Sequence, residues 1–236
     1  MKTQQHALFN ALLVLFIVCA FSISAHAGGK AYKIGFSGAI TGPTSDAGNP
    51  LSKGIEDWFR YVNDNNLLGD GDKIDYTIRD DQYKTDVTKR NFEEYLDDGI
   101  VFYLNYSTGS TLGLKQDFEE EQMPVAPSSY HEGNLVDSNY IFIPVATYSE
   151  NVVALAEYVA KNHKAGVPKV AMFIHPSAFG RGPLEDTKKA VSSGLKIDIV
   201  EVVEHGKDLD NSAMLKRLMS KGVQYVICHT VQSPVA

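Results

Sequence analysis

IGFSGAITGPTSDAGNPLSK, residues 34–53, follows the apolar alternation of Tyr32, Ile34 and Phe36. It breaks that alternation with Gly38, Thr41, Gly42, Pro43, Ser45 and Gly48 and then becomes an amphipathic helical pattern. This is strand, glycine-rich polar loop, helix. In a parallel α/β sheet such a loop lies at the carboxyl ends of the strands, where ligands bind. Gly38 and Gly42 are expected to let backbone approach a ligand closely.

Working outward, the same unit recurs along the chain. Residues 50–65 are predicted helical, with Leu51, Ile55, Trp58, Phe59 and Val62 on one face. Residues 73–79 alternate as a strand that ends in Asp80-Asp81-Gln82. Residues 85–98 read as a helix stopped by Gly99. Residues 100–104 (IVFYL) form a continuous apolar run, as expected of a strand buried on both faces. Residues 105–111 (NYSTGST) are a hydroxyl-rich turn that opens a helix over 112–121. A fourth strand, 123–126, ends in Pro127-Ser128-Ser129-Tyr130.

A polar break at 131–139 follows, then an isolated strand at 140–144, and Thr147-x-x-Glu150 reads as a capping box. Strands are predicted at 170–174, 197–203 and 224–228, with helices at 183–191 and 212–220 between them. Cys228 reads as a buried small hydrophobe. The alternation predicts an α/β protein of two doubly wound parallel-sheet lobes. The lobes are placed at 28–138 and 148–236, with a hinge at 139–147 and the second lobe incomplete. The chain stops at Ala236, eight residues past a strand and without a crossover helix to cover it, so it reads as part of a longer protein.

Ahead of the first strand, Lys2, the apolar run 11–21 and Ala25-His26-Ala27 form a signal-peptide pattern with cleavage after Ala27. The apolar run is short of the ~20 residues of a membrane span. Removing 1–27 takes away Lys2 and no acid, so 21 basic face 29 acidic side chains and the net charge is −8. That surface argues against nucleic acid or anionic membrane as a partner. Only Cys228 then remains, so the fold relies on its core rather than on disulfides.

Several chemistries are missing from the sequence. Gly42-Pro43-Thr44 is not followed by Gly-Lys-Ser/Thr, and there is no G-x-G-x-x-G or G-x-S-x-G. His131, His163 and His205 are scattered and read as surface residues, with no metal-ligand spacing. Asp80-Asp81 could be an acid/base pair, but adjacent strand residues point to opposite faces, so they read as a solvated strand end. No catalytic residue, metal or cofactor is expected, and the protein is not read as an enzyme. What remains is a binding apparatus. Ser107, Thr108, Ser110 and Thr111 meet a helix N-terminus, a combination that favours a carboxylate or other anion, with Ser128, Ser129 and Tyr130 beside it.

These blocks together resemble the type I periplasmic solute-binding proteins of the branched-chain amino acid (Leu/Ile/Val-binding) family. The resemblance rests on Ile34-Gly35-Phe36-Ser37-Gly38 through Thr41-Gly42-Pro43 to Gly48 with Lys53-Gly54, and on Asp80-Asp81-Gln82. It rests further on Ser110-Thr111 with Met123-Pro124-Val125, and on Ser177-Ala178-Phe179-Gly180-Arg181-Gly182. It implies a periplasmic-binding-protein-like I fold and a solute clamped between two lobes. The protein would be a periplasmic monomer that hands the solute to an ABC-transporter permease and meets the inner membrane only through it.

The resemblance puts the carboxylate-holding hydroxyl on Thr108 or Ser107, and the strand-end pair on Ser128 and Tyr130. The position of the family's second-lobe aromatic falls near Val231 or Gln232, neither of which is aromatic. Ser37 to Ser45 would form one lip of the cleft. Tyr106, Tyr130 and Phe179 would make it aromatic, suiting an aromatic or other organic acid as well as an amino acid or small amide. The alternative is a ligand-sensing domain of a receptor or regulator with the same fold.

Overall fold

The structure is a computed structural model that describes residues 29–204 and 210–231. The signal-peptide segment, His205 and Gln232 lie outside the described residues. β1 (Ala31–Gly38), β2 (Lys73–Asp80), β3 (Phe102–Asn105) and β4 (Val125–Pro127) form one parallel sheet in the order β2-β1-β3-β4. β5 (Lys169–Ile174), β6 (Asp198–Glu204) and β7 (Tyr225–His229) form a second, also parallel, in the order β6-β5-β7. The helices are α1 (Ser45–Asp64), α2 (Thr85–Asp98), α3 (Thr108–Gly113), α4 (Lys115–Glu120), α5 (Tyr148–Asn162), α6 (Ala178–Ser192) and α7 (Ser212–Ser220). The α/β class and the parallel pairing predicted from the alternation are both present.

In the first sheet the chain leaves β1 for β2 on one side and reaches β3 on the other. Strand order reverses there, which opens a crevice at the carboxyl ends. Below it lies an aromatic core. The Phe92 ring sits 5.1 Å from both Tyr103 and Phe118. The buried Tyr95 hydroxyl donates to the Phe36 carbonyl at 2.7 Å. Gly35 makes room for it, since a Cβ there would stand 2.8 Å from Tyr95 Cγ. In the second lobe Val152, Ala156 and Val159 of α5 pack on Val170, Met172 and Ile174 of β5, with Leu184 and Ile227. Each fully buried side chain of this size contributes about 1.5–3 kcal/mol.

The two lobes repeat one detail that no sequence repeat announces. Just past β1, the Ala39 carbonyl lies 2.3 Å from where a Gly48 Cβ would be. Just past β5, the His175 carbonyl lies 2.2 Å from where a Gly180 Cβ would be. In each lobe the strand end is seated on the first turns of the next helix, and only glycine permits that contact. Both helices also contain a proline, Pro50 and Pro183, and both begin five residues before it, earlier than the sequence pattern suggests.

Other expectations need correction. Residues 140–144 do not form a strand. A single parallel bridge joins Ile141 to Val125, and Ile141 and Ile143 pack into the first-lobe core. Pro144 has no N–H with which to extend the pairing. The helix expected over 112–121 starts earlier and is split at Leu114, because the hydroxyl turn itself forms its first turn. The predicted Thr147/Glu150 capping box is present, with Glu150 N–H donating to Thr147 Oγ1 at 3.2 Å and Thr147 N–H to Glu150 Oε2 at 2.7 Å. Cys228 is exposed, not buried. Ile227 takes the inward side of β7, so Cys228 and Val226 face the opposite groove beside Met214, Leu215 and Leu218.

Candidate functional site

The segments that follow the strands converge on a cavity of about 290 Å³ between the sheets. Its walls are Thr44 and Ala47 after β1, Tyr83 after β2, Tyr106 and Thr108 after β3 and Ser128 after β4. From the second lobe come Tyr148 at the start of α5, Phe179 after β5, and Thr230 and Val231 after β7. Tyr106, Thr108, Ser128 and Phe179 are thus gathered as the sequence suggested. Val231 lies on the wall at the position where the resemblance expects an aromatic.

Ser37, Ser107 and Tyr130 do not line the cavity. Ser37 is fully buried within β1, and its carbonyl accepts the Tyr106 N–H at 3.0 Å. Ser107 is the N-cap of α3, its hydroxyl accepting from Ser110 N–H at 3.4 Å. Tyr130 stands one step back. Its ring packs on Tyr148 at 5.6 Å, and its carbonyl accepts the Tyr148 N–H at 2.8 Å.

The surplus of hydroxyls at 107–111 also divides. Thr111 Oγ1 donates to the Ser107 carbonyl at 2.8 Å and accepts from Asn105 Nδ2 at 3.0 Å. Ser110 Oγ pairs with Thr88 Oγ1 at 2.8 Å. These hydroxyls satisfy buried polar groups that would otherwise be costly. Among the four, Thr108 alone is on the cavity wall.

The acid pair is structural. Asp80 accepts the N–H groups of Ile40, Thr41 and Gln82 at 3.0–3.1 Å, which ties the glycine-rich loop to the end of β2. Desolvation is the largest single influence and pushes its carboxyl up, but the Thr41 hydroxyl and the three N–H donors together outweigh it and hold the carboxyl below the usual range. Asp81 is fully buried rather than solvated. It accepts from Tyr83 N–H and Thr88 Oγ1, and desolvation raises its carboxyl. Gly42 has φ +92°, and a Cβ on it would lie 2.6 Å from the Gln82 carbonyl. Gly42 therefore serves the packing of the loop against the end of β2, and Gly38 its packing on Ser52 of α1 and Phe36.

Tyr83, Tyr148 and Thr44 were not singled out by the sequence pattern. The one shared sign was their place directly after a strand or at the start of a helix. Gln82 and Tyr83 adopt positive φ in succession, 55° and 60°, a rare conformation that swings the Tyr83 ring into the cleft. The Phe179 ring lies 4.2 Å from His229, tilted against it, and Tyr148 lies 4.9 Å from His229 and 5.1 Å from Phe179. His131 is half-buried, its Nδ1 accepting the Gly133 N–H at 3.0 Å, and His163 is half-buried against Tyr225.

Among the described residues no charged side chain is on the cavity wall. Burial raises the Tyr83 and Tyr106 hydroxyls and pushes Tyr148 up to about 12, so all three remain neutral donors. Burial lowers His175 and takes His229 down to about 4, so both imidazoles are uncharged at pH 7. Among the described residues no cluster of three metal-ligating side chains occurs, and no helix is long and apolar enough to cross a membrane.

A family model described as periplasmic binding protein matches residues 31–236. The chain is 44% identical to a branched chain amino acid ABC transporter structure from Thermus thermophilus with bound valine, at a TM-score of 0.81, over 88% of this chain and 55% of that one. It is 23% identical to a leucine-, isoleucine-, valine-, threonine-, and alanine-binding protein of Pseudomonas aeruginosa, over 82% of this chain and 52% of that protein. A solute binding protein of an ABC transporter from Rhodopseudomonas palustris in complex with p-hydroxybenzoic acid shares the fold at 19% identity and a TM-score of 0.69, over 87% of this chain and 55% of that one. The chain spans about half the length of these relatives. With its parallel sheets and the cleft between them, the chain belongs to the periplasmic binding protein family.

Proposed function

We propose that the protein is the extracytoplasmic solute-binding component of an ABC importer. It would clamp a small carboxylate-bearing solute between its lobes and deliver it, as a monomer, to a membrane permease. The observation that carries this reading is the cavity itself, built from both sheets at their carboxyl ends. At about 290 Å³ it sits near the lower end of the ~300–1,000 Å³ of ligand sites. The solute is an amino acid or an aromatic acid. The valine-bound relative supports the first, and the cluster of edge-on and tilted Tyr148, Phe179 and His229 rings the second.

A carboxylate in this cavity would be held by hydrogen bonds, not by a counter-charge. Thr108 and Ser128 supply hydroxyls, whereas the phenols of Tyr148 and Tyr106 already donate to the Ser128 and Thr44 carbonyls and that of Tyr83 pairs with Ser177. A charge-assisted hydrogen bond in a dry site is about twice as strong as a neutral one. Thermal denaturation of the whole chain with valine and with 4-hydroxybenzoate tests the reading. A cognate solute at 100 times its Kd stabilises by about 2.7 kcal/mol. A melting temperature unmoved by millimolar amino acids and aromatic acids alike would sink it.

A further inference from the structure

We infer that Asn134 is a positioning residue: through Ser129 it fixes the direction of the Thr108 hydroxyl, so that Thr108 faces the cavity as a donor. The inference rests on the reading of Thr108 as a solute contact given above. Asn134 and Ser129 are not on the cavity wall. They are 0% and 1% exposed, beneath Thr108 at 3%.

The direction follows from which atoms can donate. Asn134 Nδ2 lies 2.9 Å from the Ser129 carbonyl oxygen, which only accepts. That contact places the amide NH2 on this side, because the reverse orientation would set two carbonyl oxygens together. The same Nδ2 lies 3.4 Å from Ser129 Oγ. With N–H hydrogens facing it there, the Ser129 hydroxyl turns its own hydrogen away, to Thr108 Oγ1 at 2.7 Å. Thr108 Oγ1 thus accepts inside the protein and keeps its own hydrogen. Among the described residues it donates to no protein group, and its side chain is on the wall. Nothing in the chain Asn134–Ser129–Thr108 ionises, so its polarity is set by the amide at any ordinary pH. Asn134 Oδ1 remains without a partner, and the amide keeps this orientation nonetheless.

A donor at Thr108 selects an acceptor on the solute. It favours a carboxylate oxygen, whose acceptor role the NH2 side of an amide cannot take at that point. Replacing Asn134 with Leu fills a similar volume but removes both N–H donors. Ser129 is then free to turn its hydrogen elsewhere and Thr108 to donate to Ser129, so the direction of the Thr108 hydroxyl at the cavity is no longer fixed.

Two measurements test this. Neutron diffraction from the deuterium-exchanged whole chain locates the hydroxyl deuterons without any solute. Density on Ser129 Oγ aimed at Thr108 supports the inference, and density on Thr108 aimed at Ser129 overturns it. Calorimetry then compares 4-hydroxybenzoate with 4-hydroxybenzamide on wild type, Asn134→Leu and Asn134→Ala. The expected result is a carboxylate-to-amide preference that falls severalfold in both variants. Equal losses for both probes would mean that Asn134 only supports the fold, and would overturn the inference. If wild type binds neither probe, the aromatic-acid reading fails on its own account and the deuteron positions decide the role of Asn134.

Discussion

The Tyr83 hydroxyl lies 3.2 Å from the Ser177 hydroxyl, joining the end of β2 to the loop after β5 across the cleft. Ser177 Oγ is also 2.8 Å from His175 Nδ1, and the Tyr83 and His175 rings meet edge-on at 6.1 Å. Residues 94 positions apart are thereby bonded directly, beside the cavity that both lobes line.

Tyr83→Phe keeps the ring and removes this bond. The closed arrangement should lose about 1 kcal/mol relative to an open one. Small-angle scattering of the solute-free protein should show a larger radius of gyration, and solute affinity should fall several-fold. Scattering and affinity both identical to wild type would show that the bond does not hold the lobes together.

Thr108→Ala should weaken a carboxylate solute by about 1–3 kcal/mol, since a buried charge-assisted bond is lost. Thr108→Ser, which retains the hydroxyl, should recover most of the loss. Calorimetry with the same solute on all three proteins checks this, and wild-type affinity in the alanine variant would remove Thr108 from the site.

His229 contributes to pH-dependent stability. Burial lowers its folded pKa to about 4 from the ordinary 6.5, so the folded state holds fewer protons than the unfolded state between those values. Its contribution is complete above pH 6.5 and is lost as pH falls toward 4, by roughly 2–3 kcal/mol. The difference in stability between wild type and His229→Gln, followed by denaturant melts from pH 7 to pH 4, should shrink on acidification. A difference that stays constant with pH would refute the assignment.

Gly180→Ala places a methyl group 2.2 Å from the His175 carbonyl oxygen. The seat of α6 under β5 must shift, at about 1–3 kcal/mol. Because Phe179 and Ser177 flank that seat, weaker solute binding should accompany the lower melting temperature. A variant with wild-type melting temperature would show that the contact is freely relieved.

The fold was legible because its signals are local and periodic. The alternation of 73–79, the apolar run around Tyr103 and the Thr147/Glu150 box each depend on residues a few positions apart. Most strand ends fall within two residues of the expected place. The segment 140–144 misled because an apolar run records burial, and Ile141 and Ile143 are buried as packing against β4 rather than as a strand.

The site was legible only by half. Tyr106, Thr108 and Ser128 follow strands and carry hydroxyls, and Phe179 follows β5 with a ring, so position and residue type together anticipated their place on the cavity wall. Ser37 and Ser107 meet the same criteria yet turn inward, because the pleat of β1 and the N-cap of α3 decide which way each hydroxyl points. Tyr83 and Tyr148 lacked a motif, and reach the cavity through a left-handed loop and a helix start.

By itself the sequence determined the order of strands and helices, their parallel pairing and the side of the sheets on which loops collect, since chain periodicity and the handedness of crossovers leave little choice. Tertiary structure alone decided which hydroxyls are spent inside the fold and which face the cavity. That choice depends on partners such as Thr88, Asn105 and Asn134, which lie up to 22 residues from the hydroxyls they bond and are brought to them only by packing.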